Sequence, residues 1–122
     1  MRALELLTQA QVILTARAGG GLSSRMAAFL ARQALEEIVD ERCSALGVSA
    51  SRANMRSKLL ILRALDDPSD ADLASVAWNG LSNACHLHAY EMQPSIREVE
   101  QLCAVVAELV PSVETDYPAA AT

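Results

Sequence analysis

Apolar residues recur along most of this chain at spacings of three and four, the period of a helix that buries one side. Leu4, Leu7, Gln11 and Leu14 fall on one stripe, flanked by Leu6 and Ile13, and predict a first helix over 3–17. Gly19, Gly20 and Gly21 interrupt the pattern, because glycine surrenders too much backbone freedom to continue a helix. Ser23 or Ser24 then suits the start of a second helix reaching about Ala45. There Met26, Leu30, Ala34 and Ile38 repeat every four residues, widened by Phe29, Leu35 and Val39, and Gly47 suits the stop.

A third helix runs from Ser49 or Ser51 to Leu65, with Met55, Leu59 and Leu62 in line and Leu60 and Ile61 beside them. Asp66-Asp67-Pro68 breaks it, since proline disfavours helix in the residue before it. A fourth helix, capped by Ser69, carries Leu73, Val76 or Ala77, Leu81, Ala84 and Leu87 towards residue 91. Gly80 inside it costs about 1 kcal/mol against alanine, which a close helix crossing would explain. Pro94 ends this helix and Ser95 caps a fifth, where Ile96, Val99, Leu102, Cys103, Val106, Leu109 and Val110 give the clearest amphipathic stripe. The pattern predicts an all-α fold, an up-and-down bundle of four to five helices in a single domain over 1–110. The third and fourth segments could also form one long helix bent at Pro68. Residues 111–122 are polar and rich in Ala and Pro, and predict a disordered tail.

Composition agrees with the pattern: hydrophobic residues are 52% of the chain but aromatics only 3%, so the apolar content is the helix-forming kind. A formal net charge of −5 disfavours nucleic acid as a partner, because phosphate binding needs a basic surface. No apolar run approaches the roughly 20 residues of a membrane span, and the first residues lack a signal-peptide pattern, so no membrane and a cytoplasmic location are expected. Cys43, Cys85 and Cys103 are odd in number and sit in helical patterns, which reads as buried thiols in a reducing compartment.

Chemically unusual side chains concentrate in the fourth helix. Trp78, Ser82, His86, His88 and Tyr90 form the candidate functional strip, with Ser82, His86 and Tyr90 four residues apart on one face. Cys85 and His86 are sequence neighbours and point about 100° apart on a helix, so they cannot act as a nucleophile–base pair with each other. His88 and Glu91 share a face but lack the further ligands a metal needs, so no metal and no cofactor are expected. The Gly19–Gly21 run has neither the preceding strand nor the Gly-Lys-Ser/Thr of a phosphate loop, and reads as a linker. The local excess of positive charge is Arg52, Arg56, Lys58 and Arg63, a candidate anion-binding cluster or a solvated face.

Three short stretches resemble HEPN domains, helical bundles of prokaryotic conflict, toxin–antitoxin and nucleotidyltransferase-associated proteins. Arg32-Gln33-Ala34-Leu35-Glu36 resembles their "A-R-Q-A-L-E" stretch, Lys58-Leu59 their third helix, and Trp78, Leu81-Ser82 and His86 the end of the next. Ribonucleases of this kind carry an arginine separated from a histidine by four to six residues. The matching positions are Leu81, Gly80 and Asn79 for His86, and Asn83, Ser82 and Leu81 for His88. None is arginine, so the charge that would stabilise a phosphoryl transition state is missing. The resemblance then implies a non-catalytic interaction module, a homodimer or the ligand of a protein partner, in a conflict or toxin–antitoxin-type system. The alternative is an RNA-processing enzyme using His86 with an arginine from another helix, such as Arg56 or Arg63.

Overall fold

The computed structural model describes residues 2–16, 21–48, 53–86 and 95–110. These form five helices: α1 (Ala3–Ala16), α2 (Gly21–Ala45), α3 (Met55–Leu65), α4 (Pro68–Cys85) and α5 (Ile96–Leu109). The all-α bundle expected from the hydrophobic period is what the chain adopts. α2 packs against every other helix, α4 also packs on α3 and α5, and α1 also packs on α5. Polar ties fix the directions. Arg2, at the start of α1, donates to Glu37 far along α2, so the two run antiparallel. Arg25 reaches Cys85 and Arg42 reaches Asp70, so α2 and α4 are antiparallel too. Arg42 also holds the Leu109 carbonyl, which sets the end of α5 beside the end of α2.

The core is built on small residues. Ala27, Ala28, Ala31 and Ala34 of α2 are all fully buried, as are Ala3 and Ala10 of α1 and Ala77 of α4. Short side chains let the helix backbones approach, and Leu14, Leu35, Ile38, Leu62, Leu81 and Leu109 fill the space between them. Gly80 serves the same end. A Cβ there would stand 3.0 Å from the side chain of Leu102, so the α4–α5 crossing expected at this glycine is present. Among the described residues no helix is long and apolar enough to cross a membrane.

Several expected boundaries move. α2 begins at Gly21, ahead of Ser23 and Ser24, which lie inside it as buried residues. α3 starts later than expected, because the side chain of Asn54 accepts from the Ser57 amide and so caps it. α4 is capped by Asp67, not Ser69: the Asp67 side chain accepts from the Ser69 amide and Pro68 takes the first helical position, where its missing N–H is harmless. The break at Asp66–Asp67 is complete, so α3 and α4 fold onto each other as a hairpin and do not continue as one bent helix. α4 closes at Cys85 with His86 as its C-cap, short of the residue 91 expected. Ser95 caps α5 as expected, in a reciprocal capping box with Glu98. Residues 87–94 and the expected tail 111–122 lie outside the described residues.

The hydrophobic stripe of α2 also shifts. Ala34, Leu35, Ile38 and Val39 are buried as expected and Leu30 packs against the core, but Met26 and Phe29 stand half exposed, and the buried side of the first half of α2 is the alanine ridge. Leu4 and Leu60 likewise face outward. The Arg2–Glu37 tie is electrostatically favourable: the Arg2 backbone N–H, then its guanidinium, hold the Glu37 carboxyl below its ordinary value. A depressed carboxylate contributes stability above its unfolded value, and that contribution is lost as the pH falls through the folded one.

α2 ends in a paired closure. The Val48 amide donates to the Cys43 carbonyl and the Gly47 amide to the Ser44 carbonyl, with Gly47 at φ +79°. No side chain obstructs this position, so the left-handed backbone alone selects glycine. Gly47→Ala therefore lowers stability by about 1 kcal/mol, measured by urea denaturation, with an unchanged dependence on denaturant.

Candidate functional site

Three residues that mark the sequence as unusual meet in one contact. Arg32 projects from α2 towards α4, where its guanidinium carbon lies 4.0 Å from the centre of the Trp78 ring. Its Nε donates to Ser82 Oγ at 3.0 Å. Trp78 and Ser82 are four residues apart on α4, so one side chain grips two successive turns. A cation over an indole face contributes about 1–2 kcal/mol when shielded from water. One turn-pair earlier, Arg25 Nη2 donates to the Cys85 carbonyl at 3.4 Å, placing positive charge at the negative end of α4. Arg25 and Arg32 of α2 thus act on the last two turns of α4.

His86 is exposed at the C-cap, and its backbone N–H donates to the Ser82 carbonyl. Arg56 and Arg63 line a groove whose lining does not include it, and Arg25 is hydrogen-bonded to the carbonyl of the residue before it. His88 and Tyr90 lie outside the described residues, and so does Arg52. Among the described residues no three His, Cys, Asp or Glu side chains gather as metal ligands.

The basic cluster divides. Lys58 is buried, and its Nζ bonds Asp40 of α2 at 2.5 Å, which ties α3 to the central helix. Its aliphatic stem lies in the core while the ammonium reaches the rim. Arg56 and Arg63 point the other way. They line a groove of about 360 Å³ between α3 and α4, together with Leu59, Leu60, Ser75, Trp78 and Asn79. Arg56, Leu59, Leu60 and Arg63 sit at i, i+3, i+4 and i+7, one face of α3; Ser75, Trp78 and Asn79 form the facing side of α4. Arg63 is ion-paired with Asp72 at the groove's end, whereas Arg56 has no ion pair among the described residues. The groove therefore joins the tryptophan of the candidate strip to two of the candidate anion-binding residues. Sequence periodicity carried this signal at 56, 60 and 63, but Leu60 read as core and masked it.

The thiols are poor nucleophiles. Burial pushes all three above their ordinary value, Cys103 to about 11. Cys43 and Cys103 are fully covered and Cys85 is half-buried beside Arg32 and Arg25. A disulfide-exchange reagent at pH 8 is expected to label Cys85 first and the other two only as the chain opens, whereas all three react at once in denaturant. Rapid native labelling of Cys103 would contradict this packing. No family model matches the chain, and no curated protein or solved structure matches it either.

Proposed function

We propose that this chain is a non-catalytic helical interaction module, homodimeric or partner-binding, that docks another polypeptide on its α3–α4 face. One observation carries the reading: the hairpin leaves large apolar side chains in water around a groove. Leu60, which lines the groove, is 63% exposed, and Leu65 and Val76 of the same two helices are 58% and 62% exposed. Exposed apolar surface beside polar side chains is the mark of an association face. The side chains able to do chemistry support the same reading, because Arg32, Trp78 and Ser82 bind one another and the thiols are held neutral. The HEPN-like stretches support a place in a prokaryotic conflict or toxin–antitoxin-type system.

Arg25 favours a second reading, an RNA-processing enzyme that uses His86 with an arginine from another helix. Its guanidinium holds the carbonyl of Cys85, one residue from the exposed histidine. The two readings separate in one set of assays. A homodimer on this face would show in light scattering after size exclusion as a mass above the 13.0 kDa monomer that rises with concentration and returns to the monomer in Leu60→Asp with Val76→Asp, without a lower melting temperature. A strict monomer at every concentration removes the homodimer and leaves the heteromeric form. The chain is expected to leave single-stranded RNA intact; cleavage that His86→Ala abolishes would overturn the module and establish the enzyme.

A further inference from the structure

We infer that the α3–α4 groove receives an acidic amphipathic helix of a different protein, gripped by Arg56 and Arg63 two turns apart with an aliphatic side chain between them. This rests on the proposal that α3–α4 is the docking face, and names what docks there. The groove lining contains two guanidinium groups, Arg56 without an ion pair among the described residues and Arg63 paired with Asp72 at the groove's end, in a chain whose net charge is −5. Arg32 adds positive charge behind the Trp78 ring. The local field of this basic hollow selects carboxylates, while the acidic remainder of the chain repels a long polyanion that would extend beyond it.

Spacing narrows the ligand further. Arg56 and Arg63 are seven residues apart, which sets their stems about 10 Å apart along α3. A second helix laid along the groove meets that distance with carboxylates at i and i+7. Its residues at i+3 and i+4 then face Leu59 and Leu60. A helix suits the site better than an extended segment, because the described residues offer no open sheet edge to add a strand to. Leu60 and Trp78 supply the apolar centre and the arginines the rim, the usual arrangement of an interface hot spot.

The described helices of a second copy do not supply this spacing. Within the described helices the acidic residues are Glu5 of α1, Glu36, Glu37, Asp40 and Glu41 of α2, Asp70 and Asp72 of α4, and Glu98, Glu100 and Glu108 of α5. No two of them are seven apart. Among the described helices this chain supplies no such ligand, and the occupant we infer belongs to another chain.

Asp72 has a defined part in this arrangement. It is ion-paired with Arg63 across the hairpin, and both side chains are more than half exposed. The pair adds little to stability in that setting, but it occupies the guanidinium an incoming carboxylate needs. Asp72 is thus an internal competitor, and removing its charge releases Arg63 to the ligand.

The test uses the full chain and a fluorescein-labelled, alanine-based helical peptide carrying two glutamates two turns apart with leucine midway. Anisotropy is expected to show saturable binding that Arg56→Glu weakens at least tenfold and Asp72→Asn tightens several-fold, both variants melting like the parent. A peptide with lysines in place of the glutamates is expected not to bind. The inference is overturned if the lysine peptide binds equally, if Asp72→Asn weakens binding, or if a single-stranded RNA oligomer displaces the peptide and binds more tightly. Should the peptide ignore the groove while Leu60→Asp still dissolves the protein's complexes, this inference falls and the docking face stands. Should both fail, the docking face falls with it.

Discussion

The bundle depends on how closely four helices can approach a fifth. α2 touches every other helix, and it manages this because Ala27, Ala28, Ala31 and Ala34 present no more than a methyl group each. The alanine stretch has little hydrophobic area of its own, so the leucines of neighbouring helices, with Leu35 and Ile38 further along α2, fill the gaps. Such a stretch also says little about orientation, since methyl groups interlock weakly. The arginines that leave α2 provide what the alanines lack. Arg25 and Arg32 fix the last turns of α4, and Arg42 joins Asp66, Asp70 and the Leu109 carbonyl at the opposite end. Each reaches a group that only one placement of the neighbouring helix brings into range.

The basic residues consequently split into two populations by the direction they face. Those on α2, together with Lys58, are consumed by the fold: each meets a carboxylate, a carbonyl or an aromatic face of another helix. Arg56 and Arg63 face outward into a groove with an apolar floor. The division explains how a chain with a surplus of acidic residues offers a locally positive surface. It also bears on the stretches that resemble HEPN domains. Arg32 and Trp78 engage each other, and the exposed histidine at the end of α4 is left near an arginine already tied to the backbone.

How far the sequence disclosed this depends on which residue is asked. Gly47, Ser95 and the break at Pro68 act through local backbone rules, and each does what its neighbours in sequence imply. Gly80 was legible as a crossing because a glycine inside a helix needs a packing reason. The faces were harder. Met26 and Phe29 outscore alanine on any hydropathy scale, so the stripe they define seems to be the buried one. The alanine ridge won because backbone proximity to several helices outweighs the area of two larger side chains. Lys58 and Arg56 look alike in sequence, and only the position of Asp40 on the next helix separates a buried tie from an exposed contact. The groove was invisible for the same reason, since it forms from two helix faces that the sequence shows only one at a time.

The central claim is this division between arginine that braces the bundle and arginine that serves its surface. Urea denaturation of Arg32→Gln and Arg56→Gln beside the parent tests it most directly. The account predicts that Arg32→Gln loses about 1–2 kcal/mol, with a changed Trp78 emission in the folded state, while Arg56→Gln stays within about 0.5 kcal/mol of the parent. Equal losses, or a larger loss at Arg56, would contradict it.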